Sequence, residues 1–171
     1  MVKKYAPLLM LLPFLCMPLL AIAGPDIQCP QAKVQTVNGQ FLIFGEYEFE
    51  HGVHDLAISN TEKSEIKRVT YSGKTSDGQS CVYKSVAFAQ GGDWGWHMAW
   101  TISDEPGVYY SRMDGEAWVS IPAKRISDQT ADTLEFEAKP KHEQVILRGY
   151  SKQSSKTESF RLTSEDEGRS W

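Results

Sequence analysis

From Gly24 to Trp171 apolar side chains do not keep a helical period; they come in short runs closed off by Gly, Asp, Ser and Pro. That pattern confines the chain to β architectures. Eleven runs read as strands: Ala32–Val37, Gln40–Phe49, Val53–Ser59, Glu65–Tyr71, Val82–Ala89, Trp96–Ile102, Val108–Met113, Ala117–Ile121, Thr133–Glu137, Gln144–Tyr150 and Glu158–Thr163. Several alternate apolar and polar residues, as in Leu134-Glu135-Phe136-Glu137, which gives a strand one face to bury. Turn signals separate them, among them Asn38-Gly39, Asp77-Gly78, Gly91-Gly92, Glu105-Pro106-Gly107 and Asp114-Gly115. No linker is visible, so residues 24–171 are expected to form a single all-β domain.

The first 23 residues have the layout of a secretory leader. Lys3 and Lys4 precede an apolar stretch, Tyr5–Leu20, and Ala21-Ile22-Ala23 places small residues where a signal peptidase cuts. A membrane anchor is the alternative, but the stretch is short and interrupted by Pro7, Pro13 and Pro18. Cys16 follows Phe14-Leu15, which does not suit a lipid-attachment cysteine. The expected destination is the periplasm or the extracellular space. Without the leader, sixteen cations stand against 22 acids, a net charge of −6 with neutral histidines. Neither nucleic acid nor an anionic membrane surface is the partner such a balance suggests. Two cysteines remain, Cys29 and Cys81; in an oxidising compartment they most simply form one disulfide, the alternative being two buried thiols.

A repeat underlies the strand pattern. Val53–Ser59 leads to Ile66, Val108–Ser111 leads to Trp118, and Phe160–Ser164 leads to Trp171, each time with an apolar residue seven positions after the serine. The serines are 52 and 53 residues apart. A period near 50 in an all-β chain suggests about three four-stranded propeller-type blades.

Ser164, Asp166, Gly168 and Trp171 fit S-x-D-x-G-x-x-W at all four positions, and Ser111, Gly115 and Trp118 repeat it with Asp114 displaced by one. These segments resemble the Asp-box of sialidase-type β-propellers. The stretch from Trp96 to Pro122 resembles one blade of that family. The resemblance implies a structural motif: a glycine for the turn, Ser and Asp bonding to its backbone, and a tryptophan packed beneath. It also implies six blades for closure. Three periods then mean an open stack, a dimer that assembles six blades, or a truncated gene product. The last blade would lack its fourth strand, which an N-terminal strand such as Ala32–Val37 could supply.

The family's chemistry does not carry over. Sialidases clamp a carboxylate with three arginines, the first in an aromatic-Arg-Ile-Pro motif, and Lys124-Arg125-Ile126-Ser127 has neither the aromatic nor the proline. No catalytic residue, metal or cofactor is assigned. His51 and His54, near Asp55, would point to opposite faces of a strand and make no metal pair. Candidate binding residues are Trp94, Trp96, His97 and Trp100, as an aromatic platform or as core between blades, and Arg148, on an inner-type strand and best placed to face a central pocket. The expected function is an exported non-catalytic module that binds a glycan or a protein, for instance as inhibitor of an exported hydrolase. The alternative is a divergent or truncated exo-sialidase.

Overall fold

A computed structural model of the chain describes residues 29–35, 39–75, 80–92, 95–114, 119–139, 141–153 and 156–171. The leader and its proposed cleavage site lie outside the described residues, as do Trp94, Gly115 and Trp118. Eleven strands form three antiparallel sheets, and no helix occurs among the described residues. The first sheet runs β1 (Gln31–Gln35), β2 (Phe41–Glu50), β3 (Val53–Asn60) and β4 (Glu65–Arg68). The second runs β5 (Tyr83–Gly91), β6 (Gly95–Ile102), β7 (Val108–Asp114) and β8 (Lys124–Ser127). The third has β9 (Thr133–Ala138), β10 (Val145–Gln153) and β11 (Lys156–Ser164). Each is a meander in which neighbours in sequence are neighbours in space. Ser59, Ser111 and Ser164 fall on β3, β7 and β11, so the sequence repeat marks the third strand of successive sheets.

Two expectations need correction. Residues 119–121 are not a strand; β8 lies later, at Lys124–Ser127. Met113 bridges Ser120, Ile121 N donates to Arg112 O at 2.9 Å, and Val119 is 61% exposed, so the segment meets the end of β7 through one isolated bridge. Pro122, which has no N–H to offer a ladder, comes directly after it. The N-terminal strand does not complete the third sheet either. β1 pairs along β2, from Gln31 opposite Gly45 to Gln35 opposite Phe41.

The second sheet is the middle layer. One core fills the space between it and the first sheet, with Leu42, Phe44, Leu56 and Ile58 against Phe88, Trp96, Met98 and Trp100. The other lies toward the third sheet, where Ala87, Ala99 and Val108 meet Leu134 and Leu147. Alternation along β6 makes this possible: Trp96, Met98 and Trp100 face one way, His97 and Ala99 the other. β5 packs beside β1 and β2 on one side and β9 on the other. The Cys29–Cys81 disulfide, with Cα atoms 5.5 Å apart, ties the residues before β1 to those before β5.

Candidate functional site

The most closely organised polar feature is the C-terminal turn, residues 164–171. Ser164 Oγ accepts from Gly168 N at 2.7 Å and donates to Asp166 Oδ1 at 2.8 Å. Asp166 in turn accepts Ser170 N at 2.8 Å and Ser170 Oγ at 2.7 Å. These donors, the Ser170 backbone N–H first, hold the Asp166 carboxyl well below the usual carboxylate range. Gly168 has φ +80°, a conformation that costs a residue with a side chain about 1–2 kcal/mol. Trp171 lies 4.8 Å from the Tyr110 ring, edge to face.

The turn is fastened to the middle sheet by side chains of β7 and β8. Arg112 Nη1 donates to Glu167 O at 3.1 Å, and Lys124 Nζ donates to Arg169 O at 2.5 Å. Tyr110, wholly buried, sits under Gly168. A Cβ on Gly168 would come 1.9 Å from the Tyr110 hydroxyl. Gly168→Ala is therefore expected to lower stability by about 2–3 kcal/mol, because it adds overpacking to the backbone strain. Gly39, at φ +79° with nothing within 4 Å of where a Cβ would stand, is the control. Urea melts should show Gly39→Ala costing only the strain, about 1 kcal/mol; equal losses at both positions would remove Tyr110 from the explanation.

Beneath the turn lies His97, with no exposed surface. Its Nε2 is 3.2 Å from Gly91 O and its Nδ1 is 2.7 Å from the Tyr110 hydroxyl. A carbonyl only accepts, so Nε2 carries the proton and Tyr110 donates to Nδ1. Burial, reinforced by the Arg112 charge, holds His97 down to about 4 against a backbone hydrogen bond that works the other way. Trp96 and Trp100 are buried at 5% and 2% exposure. As they stand, these three rings are interior surfaces between sheets and offer no platform to a ligand. Their neighbours explain why: Phe44 and Phe88 close on the two tryptophans, and Phe136 on His97.

Arg148 lies on β10, on the face opposite the buried Leu147, and its Nη2 donates to Glu137 at 3.0 Å. It faces no central pocket. With Tyr150, Ser159, Phe160 and Arg161 it lines a hollow of about 170 Å³ on the outer face of the third sheet. The other arginines sit elsewhere. Arg68 pairs with Asp55 on the first sheet, Arg125 with Asp128 beside β8, and Arg169 with Glu167 in the terminal turn.

Two buried acids gave no signal in the sequence. Glu46 accepts from His54 Nδ1 at 2.7 Å, Val82 N at 3.1 Å and Tyr83 N at 2.9 Å, linking β2 to the start of β5. Asp55 accepts from Arg68, from Thr70 Oγ1 at 2.7 Å and from Ser72 N at 2.8 Å. Burial alone would raise Asp55, but those donors outweigh it and hold the carboxyl below its ordinary value. Glu46 also lies with Cys29 and Cys81 in a cluster compact enough for a metal ion, but the disulfide occupies both sulfur ligands. His54 serves Glu46, while His51 sits in the β2–β3 turn at φ 45°.

No family model, curated protein or solved structure matches this chain.

Proposed function

We propose that this chain is an exported, non-catalytic binding module on a scaffold of sialidase-like propeller blades, with a glycan or an exported protein as its partner. Three features support the scaffold. The sheets are successive meanders, the first strands β1, β5 and β9 lie side by side, and the repeated serines occupy equivalent strands. The turn from Ser164 to Trp171 carries the hydrogen bonds that an Asp-box needs. Export rests on the leader, and the Cys29–Cys81 bond supports it, since disulfides persist in oxidising compartments. Among the described residues no helix is long and apolar enough to cross a membrane.

The observation that carries the non-catalytic reading is where the arginines go. A carboxylate clamp needs several guanidinium groups converging on one point. Here Arg68, Arg125 and Arg148 hold acidic partners on the first, second and third sheets in turn, while Arg112 and Arg169 both bind Glu167 of the terminal turn, one through its carbonyl and one through its carboxylate. Arg148 and Arg161 line a common hollow, and Arg148 is already paired there with Glu137. The purified protein is therefore expected to give no turnover of a fluorogenic sialoside from about pH 4 to about pH 8. Turnover that survives further purification and is lost on Arg148→Ala would establish a clamp and overturn this reading.

A further inference from the structure

The three sheets end in two kinds of edge. On one side β1 and β9 flank β5, so these first strands cover one another. The opposite edges are β4, β8 and β11. β4 and β8 have four residues each, and so short an edge offers another chain little to pair with. β11 has nine. It pairs with β10 from Lys156 opposite Gln153 to Ser164 opposite Val145, and among the described residues no strand lies on its other side. Every second residue of an antiparallel strand turns its N–H and C=O toward the same edge. Apart from the β10 ladder, no backbone–backbone hydrogen bond among the described residues reaches β11.

A hollow of about 610 Å³ runs beside this edge, with residues 156–160 as one wall and residues 128–130 as the other. Side chains of a strand alternate between faces, so a space that borders five consecutive residues borders their backbone. The facing wall is held in place. Ser151 Oγ donates to Thr130 O at 2.9 Å, Lys152 N donates to Asp132 Oδ2 at 2.7 Å, and Arg125 pairs with Asp128 at 2.9 Å. Five residues of strand extend about 16 Å, enough to pair with an added strand as long as β4 or β8.

We propose that the free edge of β11 takes an extended segment of another protein as a fourth, antiparallel strand. This rests on the protein-binding form of the module and names how its partner is held. A row of alternating N–H and C=O groups is matched group for group by an extended polypeptide. The N-terminal strand β1 is not available for the place, because it lies along β2. Side chains select the segment. Toward the second sheet β11 presents half-buried Leu162 and Phe160, then Glu158 and Lys156, which pair at 3.6 Å. Those two inward charges reject a uniformly apolar strand, which keeps a long edge from pairing indiscriminately. On the other face Arg161 stands directly opposite Arg148, while Glu137 pairs with Arg148 alone. An acid on the added strand opposite Arg161 offsets that like-charge contact. Laid antiparallel from Leu162 back to Lys156, the segment therefore reads apolar, acidic, apolar, polar, basic, polar, acidic.

The probe is the capped peptide Val-Glu-Val-Thr-Lys-Thr-Glu, titrated into isotope-labelled protein from the full-length gene in the processed form the host delivers. NMR should show amide shifts gathered in Lys156–Ser164, with half-saturation below about 2 mM. Backbone pairing is separated from side-chain contact by N-methylation, because only alternate N–H groups of the peptide face β11. Methylating one alternate set should abolish the shifts, and methylating the other should leave half-saturation within about threefold. Arg161→Glu should raise half-saturation about threefold or more by turning a cross-strand attraction into a repulsion. That position is exposed and faces Arg148, so the variant should lose no melting temperature. Unmoved β11 amides, two methylated peptides that bind alike, or binding indifferent to Arg161→Glu would each overturn the proposal. Glycan binding without peptide binding would overturn it alone, whereas sialoside turnover would overturn the module itself.

Discussion

Replacing Cys29 and Cys81 together by serine is expected to lower stability by about 4 kcal/mol. The bond spans 52 residues, and the chain-entropy relation for a closed loop of that length gives about 4 kcal/mol at 25 °C. Its position adds a structural consequence. The loop contains the whole first sheet, and the bond joins the segment entering β1 to the segment entering β5. Glu46 reaches across the same junction to Val82 N and Tyr83 N. Without the bond, the hydrogen bonds of that buried carboxylate and the apolar core between the two sheets are left to hold the junction. Urea melts of the double serine variant and of reduced wild type should coincide, both well below the oxidised protein. A double variant within about 1 kcal/mol of wild type would show that the unfolded chain is already restricted over this loop. Thiol titration of the unfolded, unreduced protein should find neither cysteine free.

The strands were legible because their alternation is a consequence of burying one face. Leu42, Phe44, Leu56 and Ile58 alternate with outward residues, and the central strands β2, β3, β6 and β10 stand where the apolar pattern places them. The outer strands were less legible for the same reason. β8 is Lys-Arg-Ile-Ser, an edge strand with one apolar residue, whereas Val119 and Ile121 mimic alternation in a segment that joins β7 by one isolated bridge and leaves Val119 exposed. A strand that buries little writes little of itself into the sequence. The tryptophans of β6 were legible as a cluster, but their exposure was not, because Phe44 and Phe88, which cover them, come from other strands of the fold. The buried acids were invisible on the same account. Asp55 looks like a surface residue until Arg68, Thr70 and Ser72 close on it, and no local spacing announces that they will. In the turn from Ser164 to Trp171 the bonds of Ser164 and Asp166 to the turn's own backbone were legible, since both partners lie within it, whereas those from Arg112 and Lys124 were not, since they come from 55 and 45 residues away.

Stability should fall by about 3 kcal/mol between pH 6.5 and pH 4 through one residue, His97. In the unfolded chain its imidazole protonates near 6.5; in the fold, burial holds it down to about 4. At 1.36 kcal/mol per pH unit that interval is worth about 3 kcal/mol. The sign follows from which state takes up the proton first. Above pH 6.5 both states are neutral and the full contribution is present. As pH falls, the unfolded chain gains a proton that the folded one refuses, so unfolding becomes progressively easier until about pH 4. The geometry gives the refusal a cause. Nε2 already spends its proton on Gly91 O, and a second proton on Nδ1 would meet the Tyr110 hydroxyl in a site with no exposed surface and the Arg112 charge nearby. Asp55 and Asp166 act in a separate window, because both are held below the ordinary carboxylate value of 3.8 and lose their contribution only as pH drops beneath it. His97→Gln isolates the effect. Its amide can donate to Gly91 O and accept from Tyr110, so the variant keeps both hydrogen bonds without a titrating group. It should be less stable than wild type at neutral pH through lost packing, yet its urea midpoint should stay nearly level from pH 6.5 to pH 4. A midpoint that fell as steeply as wild type over that range would place the acid sensitivity in another group.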